Sequence, residues 1–278
     1  METNNGHENF NIQPSEESAE LVQELSHTDK IVGIFTEPSA TFKSISLFPQ
    51  RLIDWLLPVV LLLILVSLSV LVSMTNPVLR ADAKKMRYEA TEKQIDALVK
   101  SGTLTQEQAK EQMEKTEKSL EMMDSPVAQI FSGVSILVFG LIFFFIISGV
   151  YFILAKYVLR GNGVYKSVLV ASGMTSYISM IQVVLITILS MVTDKWYRDL
   201  SIGSFMGLGK EDIAGYLLSK IDPINIWAYV ILGIGLAKLF KSEDTRKYIV
   251  MVFSLWIGWS LVSFFIAKAI PFLSFLNS

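Results

Sequence analysis

Apolar residues are collected into five runs that contain no Asp, Glu, Lys, Arg or His. These runs span residues 55–79, 125–155, 167–193, 223–237 and 248–267. A transmembrane helix needs about 20 mostly apolar residues to cross about 30 Å of hydrocarbon. Four runs meet this length. The fourth, with 15 residues, meets it if Lys238 snorkels while Leu239 and Phe240 stay in the interface. The alternative for that run is a re-entrant or surface helix.

This pattern predicts an all-α fold: a polytopic membrane protein with a five-helix transmembrane bundle and a helical hairpin between spans one and two. The membrane domain covers residues 53–270, with spans at about 53–75, 127–155, 167–193, 223–240 and 248–268.

The hairpin is predicted at residues 81–123. Ser101-Gly102 marks the end of its first helix, and Thr105 with Gln108 forms a capping box that begins its second. Its apolar stripe is thin. The hairpin is therefore either a solvated spacer or a weak partner surface.

Two segments precede the first span. Residues 1–28 are acidic and are predicted to be a disordered cytoplasmic tail. Residues 29–52 mix apolar with polar positions, which favours an amphipathic segment in the membrane interface, broken in two at Pro38. Phe35, Pro38 and Phe42 are its candidate interface residues. The alternative is an ordinary linker.

Charges in the short loops predict the orientation. The loop between spans two and three holds three basic residues and no acid, and the loop between spans four and five holds four basic and two acidic residues. Basic residues mark the cytoplasmic side. We expect the N-terminus inside, the C-terminus outside and the hairpin across the membrane. No apolar segment precedes residue 55, so span one is expected to be an uncleaved anchor, in a bacterial cytoplasmic membrane.

Composition narrows the function. Of 278 residues, 51% are hydrophobic and 18% charged, below the roughly 25% charged of soluble domains. The net charge of -2 argues against nucleic-acid binding. There is no Cys, and the two His residues, His7 and His27, lie in the polar N-terminal stretch. Catalytic residues, metal ligands and cofactors are therefore predicted to be absent, and the protein is predicted not to be an enzyme.

Ionisable side chains are almost missing from the spans. The five uncharged runs contain no ionisable side chain apart from Tyr, and Asp54, at the edge of span one, is expected at headgroup depth near Arg51. This argues against proton-coupled transport. A membrane enzyme built on loop carboxylates such as Asp54 and Asp222 is the weakest hypothesis.

Small and hydroxyl residues recur inside the spans instead. Such residues let helices approach closely and hydrogen-bond. They form either packing contacts within the bundle or a face for a partner helix, a second copy or a lipid. The candidates are Gly133, Gly140, Ser172, Ser176, Ser179, Gly233 and Gly258.

Three groups of residues resemble a known family. They are Ile34-Phe35-Thr36-Glu37-Pro38 with Phe42 before span one, Gly161-Asn162-Gly163-Val164-Tyr165-Lys166 before span three, and Asn225-Ile226-Trp227 with Gly233-Ile234-Gly235-Leu236-Ala237 in span four. With this order of parts, the chain resembles a bacterial-type member of the Yip (Ypt/Rab-interacting protein) family over roughly residues 29–270. The resemblance implies five spans and a cytoplasmic N-terminus.

Two departures limit what the resemblance implies. The Asp-Leu-Tyr-Gly-Pro type motif of the eukaryotic branch is absent, so binding of a Rab-type GTPase is not expected. Span three has Tyr177-Ile178-Ser179 where bacterial relatives often have Pro. The resemblance implies a membrane-organising or adaptor protein whose partners are membrane lipids and either a membrane protein or a second copy. The alternative is a channel or carrier for a small neutral or lipid-like solute.

Overall fold

The computed structural model describes residues 23–208 and 213–269. Most of the predicted acidic tail, residues 1–22, lies outside the described residues, as do 209–212 and 270–278. The described parts contain helices and no strand, which confirms the all-α class. The helices are α1 His27–Thr36, α2 Pro38–Leu47, α3 Ile53–Thr75, α4 Pro77–Lys100, α5 Gln106–Met122, α6 Pro126–Ile153, α7 Tyr165–Thr193, α8 Ile202–Phe205, α9 Ile213–Leu218, α10 Pro223–Leu239 and α11 Thr245–Ala269.

Four stretches are long and apolar enough to cross a membrane: Ile53–Thr75, Pro126–Val158, Tyr165–Thr193 and Thr245–Ala267. The second includes a π-turn, Leu154–Val158, that extends α6. Helix α10 is apolar but has only 17 residues, so it is not among the four.

The starts of helices α1 and α2 are determined by a capping serine and a proline. The Ser26 hydroxyl caps α1 by accepting a hydrogen bond from the Asp29 amide at 3.1 Å. Pro38 is the first residue of α2, where its missing N–H costs nothing. The chain therefore turns at Glu37 into a second short helix, the break that the proline predicts.

Helices α3 and α7 run parallel with a constant register of 118 positions. The Ser69 and Thr187 hydroxyls are 2.5 Å apart. Near the end of the pair, the Asn76 amide donates to Asp194 at 2.6 Å. Both contacts join residues 118 positions apart, so the two helices stay side by side over at least eight residues.

Helix α10 lies at the centre and runs antiparallel to α7. At its start, the Gln182 side-chain amide donates to the Asp222 carboxylate at 2.8 Å. At its end, the Asn162 backbone amide donates to the Phe240 carbonyl at 3.1 Å. Most of its second half is buried between α7, α11 and α2. The core is concentrated here and around the first half of α7.

Helices α4 and α5, which follow α3 and precede α6 in the chain, pack on each other. The capping box at α5 is present: the Gln108 amide donates to the Thr105 hydroxyl at 3.2 Å, and the Thr105 amide donates to the Gln108 side chain at 3.0 Å. The Lys84 ammonium donates to Asp124 at 2.7 Å and holds the pKa of that carboxyl below its usual range.

Candidate functional site

A buried ion pair joins α1 to α3. The Lys30 ammonium lies 3.0 Å from both carboxylate oxygens of Asp54. The two side chains are 4% and 1% exposed. A buried charge is expensive unless it is paired and hydrogen-bonded, so each side chain requires the other. The pair therefore ties α1 to the first turn of α3.

A histidine and a tyrosine extend this pair. His27 Nε2 lies 2.8 Å from the Tyr177 hydroxyl, and its Nδ1 lies 3.4 Å from Asp54. A neutral imidazole donates through one nitrogen and accepts through the other. In the tautomer that carries the proton on Nδ1, facing Asp54, Nε2 accepts a hydrogen bond from the Tyr177 hydroxyl. The contact joins α1 to α7 as well as to α3.

Two further charges complete the group. Arg51 pairs with Glu24, which also lies 3.4 Å from the Lys30 ammonium, and the Arg51 backbone amide donates to Asp54 at 3.3 Å. We call this set the N-terminal polar cluster; its members are Glu24, His27, Lys30, Arg51, Asp54 and Tyr177. Two carboxylates face two cations, so the cluster balances its own charge.

Sequence reasoning separated these residues. It assigned His27 to a disordered tail, whereas the structure makes His27 the first residue of α1. Asp54 is buried in protein and accepts a hydrogen bond from the Arg51 backbone amide, while its expected headgroup depth stays a prediction. A local signal for α1 was available: Ser26 followed three residues later by Asp29 is a helix start. The contact with Tyr177 joins residues 150 positions apart and has no such signal.

The cluster offers little reactive chemistry. Each Asp54 oxygen already faces the Lys30 ammonium, and the described residues contain no group of three His, Cys, Asp or Glu that would hold a metal ion. The arrangement suits fastening helices together.

A second buried carboxylate, Asp222, has a structural role. One of its oxygens caps α10 by accepting from the Ile224 and Asn225 amides at 2.9 and 3.1 Å. The other accepts from Gln182 and from the Leu200 amide at 2.8 and 2.9 Å. Both oxygens are engaged, and these partners lie on α7, α10 and the segment between them.

The predicted packing residues lie on different helix pairs. On α6, Gly133 and Gly140 face α3: the Ser67 hydroxyl donates to the Gly133 carbonyl at 3.4 Å, and Gly140 lies against Leu63. On α10, Gly233 lies against α11, where an added Cβ would be 2.8 Å from the Ile249 Cα.

The remaining members vary in their surroundings. On α7, Ser176 is buried, while Ser172 and Ser179 are half-buried. An added Cβ at Gly258 would have no neighbour within 4 Å among the described residues. Whether these positions serve only the bundle or also a partner stays a prediction.

The predicted interface segment packs against the bundle. Phe42 is fully buried, and an added Cβ at Gly235 would lie 2.8 Å from its ring. Phe35 makes an edge-to-face contact with Trp227, with ring centroids 5.7 Å apart. Pro38 begins α2. A position at the membrane interface stays a prediction, but the Phe42 ring is directed to protein.

Three further glycines make close approaches: Gly173, which the sequence did not mark as a candidate, and Gly161 and Gly163, which belong to the motif before span three. Gly173 of α7 lies against the Trp55 backbone, next to Asp54. In the loop before α7, Gly161 and Gly163 lie against the Phe240 ring. Glycine marks such contacts only when its neighbour in space is known.

Comparison with known families supports the resemblance. The sequence profile of the Yip1 domain matches residues 32–267, most of the chain. Neither a search of curated proteins nor a search of solved structures found a match. The matched range includes α3, α6, α7, α10 and nearly all of α11, with four helices that are long enough to span a membrane. The chain therefore belongs to the Yip1 domain family of integral membrane proteins.

Proposed function

We propose that this chain is a non-enzymatic integral membrane protein of membrane-organising or adaptor type. The observation that supports this best is the N-terminal polar cluster, whose buried charges pair with one another and fasten α1 to α3 and α7. A reactive site keeps a polar group available to substrate, whereas this cluster uses its groups to hold helices together. The Yip1 family is not known as an enzyme family.

The proposed threading has five spans, with α10 as the fourth. Its contacts run from Gln182 of α7 to Asn162 in the loop before α7, so α10 covers the same depth as the first eighteen residues of α7, about 26 Å. That length nearly crosses a bilayer core of about 30 Å. We place the N-terminus and the two basic loops in the cytoplasm of a bacterial cell, and the α4–α5 hairpin and the C-terminus outside.

Cysteine labelling tests this threading directly, because the chain has no native Cys. Ser101 and Ser242 both lie in loops, where Ser101 is exposed and Ser242 half-buried, and each can be replaced by a single cysteine. We expect a membrane-impermeant maleimide applied to whole cells to label position 101 and not position 242. Labelling of both from the same side would refute the five-span threading.

The surface available to a partner is largest on α6. No residue in the most apolar part of this helix is buried within the chain. Its Phe131, Phe139 and Phe143 side chains are 73, 59 and 62% exposed. Lipid covers such a face in a lone protomer. In an adaptor, a partner helix or a second copy covers part of it through shape-dependent packing.

Purification from native membranes in mild detergent tests the adaptor role. We expect a stoichiometric protein partner or a defined homo-oligomer that is lost in Phe139→Ala/Phe143→Ala. The matched control is Ile188→Ala/Val192→Ala on α7, where the side chains are similarly exposed. A monomer without a partner in the unmodified protein would refute the proposal.

The alternative, a channel or carrier for a small neutral or lipid-like solute, depends on the hydroxyls of α7. Thr175 donates to the Ala171 carbonyl at 2.8 Å and Ser176 to the Ser172 carbonyl at 3.2 Å. Because these hydroxyls bond within their own helix, the adaptor role is favoured. Solute flux in proteoliposomes that disappears in Ser176→Leu or Ser179→Leu would favour the carrier instead.

A further inference from the structure

A groove lies at the end of the bundle where α6 finishes and α11 begins. Its volume is about 610 Å³. The walls are mostly apolar and come from the π-turn and the first three turns of α11; they include Leu154, Val158, Val250, Met251 and Leu255. A volume of this size is typical of a small-ligand site. A partner helix is about 10 Å wide and requires a broader face.

Basic side chains line the mouth of this groove. Arg246 and Lys247 stand there beside Asp244. The Asp244 carboxylate accepts a hydrogen bond from the Lys247 backbone amide at 3.2 Å and so caps α11. In residues 23–208 and 213–269, no carboxylate forms an ion pair with Arg246 or Lys247. The Lys247 ammonium lies 5.7 Å from the centre of the Tyr248 ring, a contact that does not neutralise it, so both positive charges can attract an anion.

The fold concentrates more positive charge at the same end. The hydrogen bond from Asn162 to Phe240 brings the loop before α7 against the loop before α11. Residues 156–166 and 238–247 together hold seven basic and two acidic residues. The ligand that complements this field is an anion.

The length of the groove matches one leaflet of a bilayer. From Asp244 to Leu255 the wall advances eleven residues, about 16 Å along α11. This is about half of a 30 Å hydrocarbon core. Charged side chains stand at one end of the wall, and the rest is apolar apart from Ser254, as suits an amphiphile with a charged head and a single-leaflet tail.

We propose that this groove binds one anionic phospholipid, with its phosphate at Arg246 and Lys247 and an acyl chain along Val250 and Leu255. The site is independent of the adaptor role, since it shares no residue with the N-terminal polar cluster or with the exposed face of α6 at Phe131, Phe139 and Phe143. Basic pockets beside transmembrane helices recognise lipid headgroups by the same charge complementarity.

Native mass spectrometry of the full chain tests the site. The protein is reconstituted in nanodiscs with equal phosphatidylglycerol and phosphatidylcholine, and the retained lipids are counted. We expect preferential retention of one phosphatidylglycerol. Arg246→Gln/Lys247→Gln should lower the ratio of retained phosphatidylglycerol to phosphatidylcholine about thirtyfold, because the separate contributions of the two basic side chains multiply. Lys110→Gln/Lys118→Gln, an equal charge change on exposed positions of α5, should leave the ratio unchanged.

A second variant fills the groove without changing charge. Val250 is 55% exposed, so we expect the core to tolerate Val250→Trp, which should abolish the preferential retention of phosphatidylglycerol. Equal retention of the two lipids by the unmodified protein would overturn the proposal, and so would an unchanged ratio in Arg246→Gln/Lys247→Gln. Complete displacement of the lipid by inorganic phosphate, or a protein chain in its place, would overturn it as well.

Discussion

Gly173 of α7 lies directly against the backbone of Trp55 in α3. A Cβ added at Gly173 would be 2.5 Å from the Trp55 Cα and 2.9 Å from its carbonyl oxygen. Backbone atoms, unlike the end of a flexible side chain, do not move aside without moving the helix. This contact therefore sets the separation of the two parallel helices at the level of the N-terminal polar cluster.

Gly173→Ala is expected to destabilise the protein by about 1–3 kcal/mol, the usual effect of overpacking. Gly258→Ala is the matched control, because an added Cβ there meets no described neighbour. It should be neutral or stabilising by about 0.5–1 kcal/mol, since alanine loses less backbone entropy than glycine. Unfolding in mixed micelles measures both, and an equal effect of the two changes would contradict the close approach.

The Lys30–Asp54 pair should show strong energetic coupling. Lys30→Met leaves the Asp54 carboxylate buried without its cation, and Asp54→Leu leaves the ammonium unpaired; each is expected to cost about 3–5 kcal/mol. The double variant removes both charges and should cost much less than the sum. A double-mutant cycle by unfolding measures the coupling, with Lys43→Met on an exposed face of α2 as the control. Additive effects would exclude a buried pair.

Phe42 and Gly235 should also be coupled, through packing. Phe42→Ala empties a fully buried ring position and is expected to cost about 3–5 kcal/mol. Gly235→Ala alone should destabilise the folded protein, because the added Cβ would clash with the Phe42 ring. Combined with Phe42→Leu, which withdraws the ring, Gly235→Ala should be tolerated better. Limited proteolysis between α2 and α3 would report release of the helix pair, and resistance unchanged in Phe42→Ala would contradict this packing.

Acid should loosen the contact between α4 and the start of α6. The Lys84 hydrogen bond lowers the pKa of Asp124 in the folded protein. The contact therefore stabilises fully above the unfolded-state pKa of an aspartate, about 3.9, and is lost as the pH falls through the lower folded value. Hydrogen exchange of the amides around Ser125 should rise there. Asp124→Asn should remove this dependence, and its persistence in that variant would assign it to another group.

Local patterns were sufficient for much of the fold. The long uncharged runs predicted helices α3, α6, α7 and α11, because a helix that crosses lipid must satisfy its backbone internally and present apolar side chains outward. Pro38 and the Thr105–Gln108 capping box predicted helix starts for the same local reason. These features need only neighbours within a few positions.

The candidate site needed contacts between distant segments. Tyr177 lies 150 positions from His27, and Asp54 lies 24 positions from Lys30. Taken one at a time, His27 was assigned to a polar tail and Asp54 to the edge of a span. Only the placement of α1 against α3 and α7 joins them, since a buried charge is stable where its partner is also buried.

The groove beside α11 likewise combines a feature that is visible in the sequence with one that depends on the tertiary structure. Charge density along the chain already marked residues 156–166 and 238–247 as basic loops, because composition alone fixes where charge lies in sequence. Their meeting at one apolar groove depends on the packing of α10 between α7 and α11, which brings Phe240 to Asn162. Hydrophobic runs determine which segments enter the bilayer. Side-chain packing between those segments determines which charges face one another, because such contacts depend on positions far apart in the chain.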